Sequence, residues 1–386
     1  MSNVISSKLD GHGLVIDWPD GHTSAFDLLW LRDNCTCSQC GNRAQGQKRT
    51  SMLEIPENPE IDHHHWSSDG ELQVTWREDG HHSRYAGDWL RAHSYSEQSR
   101  KSRSFRPKLW DNSIQNALPE FEMQSLEQSA DAHKNMLNSI VSRGFCLVHG
   151  VPTDEAGFQK LLDLVGYVKE TNYGRICDLK VTSEGRLLGD TNAPIPLHTD
   201  ECYRHANPGM LAFHCLSTSE DGGGANLLAD GFRLAETLRE HHPEEFDLLS
   251  RIPVVSRRYH DGEADLISAS PVISVDYYGQ LQGIRYNERS AAPLDVSPEL
   301  VRPVYSALRK WLELTRDPSY QVRIWMQPGD AVVFDNQRVL HGRDEFHGHR
   351  HLLYAQLDLD EPHSRNRILS AGSGITQPRT YTHRGT

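Results

Sequence analysis

The chain has 386 residues, with 53 acidic against 40 basic side chains, 22 histidines, 7 cysteines and 37% hydrophobic content. That length suffices for two compact domains, while a formal net charge of −13 without a basic tract excludes nucleic acid or an anionic membrane surface as the expected partner and leaves small molecules. No window approaches the ~20 apolar residues of a spanning helix, the start MSNVISSKLDGHG lacks signal-peptide regions, and an odd cysteine count favours reduced thiols, so a soluble, cytoplasmic protein is expected.

A duplicated pattern opens the chain. Leu14 to Asn34 reads LVIDWPDGHTSAFDLLWLRDN and Leu72 to His93 reads LQVTWREDGHHSRYAGDWLRAH. In each, an alternating apolar run ends at a Trp, an Asp-Gly turn follows, and a second run beginning at His leads to Trp-Leu-Arg, which predicts two hairpins of a small β-domain over residues 1–93. The polar stretch from Cys35 to Gly70 between them reads as loop, and the basic, polar residues 94–118 read as a linker. A second domain is expected over 119–369. Within it, Ala130 to Ser142 has helical spacing stopped by Gly144, the strand-like Phe145 to Val148 follows, and Thr153 or Asp154 can cap a helix reaching Val165. Short β-like runs recur at Val254, Val272, Leu281, Val322, Ala331 and Leu352, with one long amphipathic helix from Pro298 to Leu314. The predicted class is mainly β, a barrel or double-sheet core with flanking helices, followed by a flexible tail at 370–386.

Two constellations suit metal ions. Cys35, Cys37 and Cys40 cannot all pair with one another, but as thiolates they can converge on one zinc and leave a fourth tetrahedral position. His81, in the duplicated hairpin, is the expected fourth ligand in preference to His22, His82 or the run His63 to His65; a closed site of this kind is structural. The second constellation is His198-Thr199-Asp200 with the distant His341. Alternate positions on a strand share a face, so His198 and Asp200 can reach one ion while Thr199 faces away, and two imidazoles with one carboxylate form the facial triad of non-haem Fe(II) oxygenases. Arg350, just beyond His341, can aim a guanidinium at a dicarboxylic co-substrate.

LWLRDNCTCSQC, HHSRYAGDWL, PLHTD and FDNQRVLHGR together resemble the γ-butyrobetaine dioxygenase family of TauD-like enzymes, which includes trimethyllysine dioxygenases, over most of the chain from about Leu14 to Leu369. The resemblance implies a double-stranded β-helix (jelly roll) with an N-terminal zinc domain. It also implies Fe(II) on His198, Asp200 and His341, zinc on Cys35, Cys37, Cys40 and His81, 2-oxoglutarate on Arg350 assisted by Asn226, O2 as co-substrate, and a homodimer. Tyr173 keeps an aromatic expected around a trimethylammonium group, whereas Cys177, Gln356 and Asp190 stand where larger aromatics are expected, and Glu201 and Glu288 replace neutral residues. With Tyr203, Asn287 and Arg289 as further substrate candidates, these departures favour 2-(trimethylammonio)ethylphosphonate, hydroxylated at the carbon bonded to phosphorus, over γ-butyrobetaine. A non-catalytic, zinc-stabilised binding module is the remote alternative.

Overall fold

The computed structural model describes residues 6–42, 47–180, 191–260 and 262–370. It divides into two units, one running to Phe105 and the other beginning at Arg106.

In the first unit each repeat builds a three-stranded antiparallel sheet, Ser6–Asp10, Gly13–Asp17 and Thr23–Asp27 in one copy and Ile61–Trp66, Glu71–Trp76 and His82–Ala86 in the other. A short helix follows each sheet, Leu28–Asp33 and Gly87–His93. Alternation puts Leu14, Ile16 and Trp18 of one hairpin and Leu72, Val74 and Trp76 of the other into a common core with Phe26, Leu31, Tyr85 and Leu90. The indole of Trp18 donates to Ser24 Oγ at 2.8 Å, and that of Trp76 donates to Ser83 Oγ at 2.8 Å, so the repeat extends to buried hydrogen bonds.

Two stretches differ from the sequence reading. Ile61–Trp66 is a strand, although residues 35–70 read as loop; it is a sheet edge, so its histidines meet solvent and no apolar alternation marks it. The expected linker contains a helix, Glu97–Arg103, capped by Ser96, whose Oγ accepts the Ser99 N–H.

The second unit is built on two sheets. The larger runs, in spatial order, Ile176–Lys180, His351–Leu357, Met210–Ser217, Ala331–Asp335, Phe145–His149 and Glu120–Glu122. The smaller runs Ile195–His198, Val339–Arg343, Asn226–Asp230 and Val322–Ile324. All pairs are antiparallel except that of Phe145–His149 with Glu120–Glu122. Phe145, Leu147, Leu211, Phe213, Val332, Phe334 and Leu352 of the large sheet share one core with Leu228, Val322, Ile324 and Val339 of the small one. The alternate residues Cys146, Val148, Met210, Ala212, Val333 and Leu353 pack outward against the helices Ala130–Arg143 and Glu155–Val165. Leu197, Leu227, Ala229 and Leu340 pack outward against Gly231–His241, Pro243–Arg251 and Pro298–Arg316. Strands buried on both faces carry near-continuous apolar runs, which is why they stand out in the sequence.

The flanking helices have explicit ends. Ser129 Oγ accepts from Ala132 N–H at the start of Ala130–Arg143, and Gly144 closes it at φ +86°, a conformation that favours glycine. Asp154 caps Glu155–Val165, Thr153 not taking that role. Residues 371–386 of the expected tail lie outside the described residues, and Ser370 ends the helix Asp360–Ser370. Among the described residues no helix is long and apolar enough to cross a membrane.

Candidate active site and metal centres

The same alternation that fills the core aims polar residues inward. On Val339–Arg343, Val339 points into the inter-sheet core and Leu340 away, so His341 points in again; on His351–Leu357, Leu352 and Tyr354 point inward and Gln356 follows them. His198 ends its strand directly opposite His341, the registered partner on the neighbouring strand. Gly342 permits this pairing, since a Cβ there would lie 2.5 Å from Ile195 O.

His198, Asp200 and His341 each place a ligand atom within 4.8 Å of the others. Asp200 Oδ1 lies 3.1 Å from His198 Nε2 and 3.8 Å from His341 Nε2. Ligand atoms ~2.1 Å from one ion stand about 3 Å apart on adjacent octahedral positions, so the donor set fits an ion with modest adjustment at His341. His198 Nδ1 lies 2.9 Å from Pro196 O, a partner that makes Nδ1 the donor and leaves the Nε2 lone pair facing Asp200. Burial, with His198 beside it, pushes His341 down to about 3 and keeps that imidazole neutral. Burial alone would raise the Asp200 carboxyl, yet its polar and charged surroundings, the Arg289 guanidinium among them, hold it well below the usual carboxylate range. A neutral His341 imidazole and an ionised Asp200 carboxylate are protonation states that bind a divalent cation.

Asp200 lies beyond the strand end, in a turn, rather than on the strand with His198 as the alternation suggested. Asn336 sets that turn: its Oδ1 accepts Asp200 N–H at 2.7 Å, and its Nδ2 donates to Asp200 O at 3.2 Å and Pro208 O at 3.0 Å. Thr199, fully buried, is turned away by paired hydrogen bonds with the Tyr286 backbone. Asn336 and Tyr354 are site residues that sequence reasoning did not assign, whereas Gln356 stands at a pocket position the sequence already marked. The signal for Tyr354 was the inward alternation of its strand. Tyr354 Oη donates to Asp200 Oδ2 at 3.4 Å, and Gln356 Nε2 reaches Tyr354 Oη at 2.7 Å and Glu201 Oε1 at 2.6 Å.

The structure brings Arg350 to Asn226, Nη2 to Oδ1 at 3.0 Å, both side chains buried. Asn226 Nδ2 has no hydrogen-bond partner among the described residues, an N–H pair free for an acceptor beside the guanidinium. Burial pushes Arg350 down to about 10, still charged at neutral pH. Arg343 and Arg350 both lie over the Phe346 ring, at 4.7 and 5.8 Å.

The expected substrate residues divide. Tyr173 and Tyr203 meet hydroxyl to hydroxyl at 3.1 Å. Glu201 is buried at φ +54°, the one described non-glycine residue in left-handed backbone, and is paired with Arg204 and Gln356; burial raises its carboxyl while the Gln356 amide opposes the shift. Arg289 is exposed, yet its charge lowers both Asp200 and His341. Asn287 spends its side-chain oxygen on the Arg289 N–H at 3.1 Å, capping a short 3-10 turn. Asp190 lies outside the described residues.

In the first unit, His81 Nε2 lies 3.3, 3.6 and 3.4 Å from the sulfurs of Cys35, Cys37 and Cys40. Tetrahedral zinc with Zn–S ~2.3 Å and Zn–N ~2.0–2.1 Å requires S···N edges of about 3.5 Å; the donor set fits.

A double-sheet core with two imidazoles inside it and a carboxylate in the adjoining turn carries the ligand set of non-haem iron oxygenases. The sequence profile of the taurine catabolism dioxygenase TauD, TfdA family matches residues 101–356, and that of the γ-butyrobetaine hydroxylase-like N-terminal region matches residues 5–91. The chain belongs to this family and is an Fe(II)- and 2-oxoglutarate-dependent dioxygenase, for which O2 and a small molecule are substrates. Among its relatives, trimethyllysine dioxygenase of Meyerozyma guilliermondii is 30% identical over 96% of each chain. γ-Butyrobetaine dioxygenase of a Pseudomonas species is 32% identical, covering 96% of this chain and 97% of the relative. Among solved structures, an asparagine oxygenase with Fe(II), a hydroxyasparagine and succinate aligns at TM-score 0.48 and 13% identity, over 68% of this chain and 85% of that one.

Proposed function

We propose that this dioxygenase hydroxylates a small trimethylammonium zwitterion, with Fe(II) on His198, Asp200 and His341 and the far carboxylate of 2-oxoglutarate on Arg350 and Asn226. The convergence of the three ligand atoms carries the reading. The ferrous ion, when bound, supplies oxygen activation, and the overall reaction consumes 2-oxoglutarate, O2 and a C–H bond to give succinate, CO2 and an alcohol. The protein's own part is positioning. Arg350 offers a charged fork and Asn226 a free amide N–H to one carboxylate. Asn336 and Tyr354 hold Asp200 from both sides. Tyr173, whose hydroxyl meets that of Tyr203, offers an aromatic face to a quaternary ammonium.

The preferred substrate is 2-(trimethylammonio)ethylphosphonate, because Arg289 and Tyr203 add donors suited to a more highly charged anion than a carboxylate. γ-Butyrobetaine is the second reading, favoured by the name of the Pseudomonas relative. In the same proposal the first unit is a zinc-stabilised scaffold, with Cys35, Cys37, Cys40 and His81 forming a closed structural site, and the second unit is the oxygenase. A cytoplasmic homodimer belongs to this reading on composition and family resemblance. Succinate formation by the iron-loaded chain tests it: faster turnover with the phosphonate than with γ-butyrobetaine, abolished by His198→Ala, is expected. Robust turnover of γ-butyrobetaine and none of the phosphonate would overturn the substrate preference, and turnover surviving His198→Ala would overturn the site.

A further inference from the structure

The duplication extends beyond the hairpins to the candidate zinc site. Trp30-Leu31-Arg32 is followed three residues later by Cys35, then Cys37 and Cys40; Trp89-Leu90-Arg91 is followed three residues later by Ser94, then Ser96 and Ser99. The two histidines are equivalent as well, since Trp18 N–H donates to His22 O at 2.9 Å and Trp76 N–H donates to His81 O at 3.0 Å. Each histidine crosses to the other copy. His81 meets the three cysteines, and His22 Nε2 lies 3.4, 3.1 and 3.2 Å from the hydroxyls of Ser94, Ser96 and Ser99.

Several of the surrounding contacts repeat. His81 N–H donates to Asp79 Oδ1 at 2.9 Å and His22 N–H to Asp20 Oδ1 at 3.0 Å. Arg32 Nη2 donates to Asp79 Oδ2, and Arg91 Nη2 to Asp20 Oδ2, both at 2.9 Å. The same arginines reach the third member of each cluster, Arg32 Nη1 to Cys40 Sγ at 3.5 Å and Arg91 Nη1 to Ser99 Oγ at 3.2 Å. The chief difference is sulfur against oxygen. A thiol with an ordinary pKa near ~8.5 gives up its proton to a metal at neutral pH, whereas a serine hydroxyl stays protonated and serves as a hydrogen-bond donor and acceptor. Ser24 Oγ and Ser94 Oγ close the second cluster at 2.9 Å, and Gln98 Oε1 holds His22 Nδ1 at 3.3 Å.

We propose that His22, Ser94, Ser96 and Ser99 form a metal-free counterpart of the three-cysteine clamp, closed by hydrogen bonds, which becomes a second site for a zinc-like divalent cation when its three hydroxyls are replaced by thiols. The inference rests on the zinc reading of the first cluster. One half of the unit is then cross-linked by metal and the other half by hydroxyls around a histidine.

Zinc per chain, measured by elemental mass spectrometry on the iron-loaded full-length protein, tests this. The triple variant Ser94→Cys, Ser96→Cys, Ser99→Cys is expected to carry one zinc more than the unaltered chain, and adding His22→Ala is expected to weaken that extra site. A folded triple variant with three additional reactive thiols and no added zinc would overturn the proposal. Should the triple variant not fold, His22→Gln in the otherwise unaltered chain is expected to keep all of its zinc; loss of zinc from a folded His22→Gln protein would overturn the metal-free assignment. Absence of zinc from the unaltered chain sinks the reading of the first cluster instead, and is read separately from the gain in the variant.

Discussion

Asp200 owes its place to Asn336, a residue far along the chain that hydrogen-bonds both the N–H and the carbonyl of Asp200 and is itself fully buried. Removing a side chain that orients a metal ligand typically costs 10–100-fold in metal affinity, so Asn336→Ala is expected to weaken Fe(II) binding by about that factor while circular dichroism stays unchanged; unaltered affinity would remove Asn336 from the site. Its neighbour Asp335 behaves oppositely to Asp200. Burial pushes the Asp335 carboxyl up to about 7, aided by Asp230 and opposed by the N–H groups of Gln337 and Arg338. With an unfolded value near ~3.9, the raised folded value means that protonated Asp335 contributes stability in full below about pH 4, and that this contribution is lost as pH rises toward 7. Asp335→Asn, which keeps an acceptor for those N–H groups, is therefore expected to gain stability relative to the unaltered chain between pH 5 and pH 8, by on the order of 1–3 kcal/mol. Urea unfolding at the two pH values checks it, and a pH-independent difference would contradict it. The spacing His-x-Asp was legible because it is local. The partnership of Asp200 with Asn336 was not, since nothing near either residue reports a contact across 136 positions.

At the scale of elements, the strand carrying His341 is anchored by a buried ion pair at its entrance. Arg338 donates to both carboxylate oxygens of Asp230, at 3.0 and 2.9 Å, and to the carbonyls of Ser142 and Lys108 at 2.9 Å each. Asp230 in turn caps Gly231–His241 through Phe232 N–H and accepts from Trp110 N–H. The pair thus joins the start of one helix, the last turn of another and the turn leading to His341. Removing one partner of a buried pair leaves the other charge uncompensated, so Arg338→Ala is expected to cost about 3–5 kcal/mol in urea unfolding; a loss under ~1 kcal/mol, the range of an exposed pair, would contradict this account. Strands such as Phe145–His149 and Ala331–Asp335 were readable as apolar runs because both of their faces are covered. Ile61–Trp66 was not, because an edge strand with three histidines carries no such run. The helix Glu97–Arg103 was hidden by basic, polar composition, its Ser96 cap being a weak signal in a serine-rich stretch.

For the whole molecule, the mainly β class with flanking helices could be read from the pattern of short strands, whereas the pairing order of the sheets could not, because strand neighbours such as Met210–Ser217 and His351–Leu357 are joined only by long-range contact. The two units also differ in what holds them. The second rests on extended apolar cores, while the first adds a four-ligand cluster to a smaller one. Chelation of zinc is expected to raise amide exchange in the strands of the first unit while those of the second unit's sheets stay protected; equal loss of protection in both would contradict the assignment of zinc to the first unit alone.

The central claim is that His198, Asp200 and His341 hold one ferrous ion with room left for 2-oxoglutarate. Anaerobic visible absorption tests it most directly. Adding 2-oxoglutarate to the Fe(II)-loaded chain is expected to produce a metal-to-ligand charge-transfer band that is lost in a folded His341→Ala variant; no band in the unaltered chain, or an undiminished band in the variant, would contradict the account.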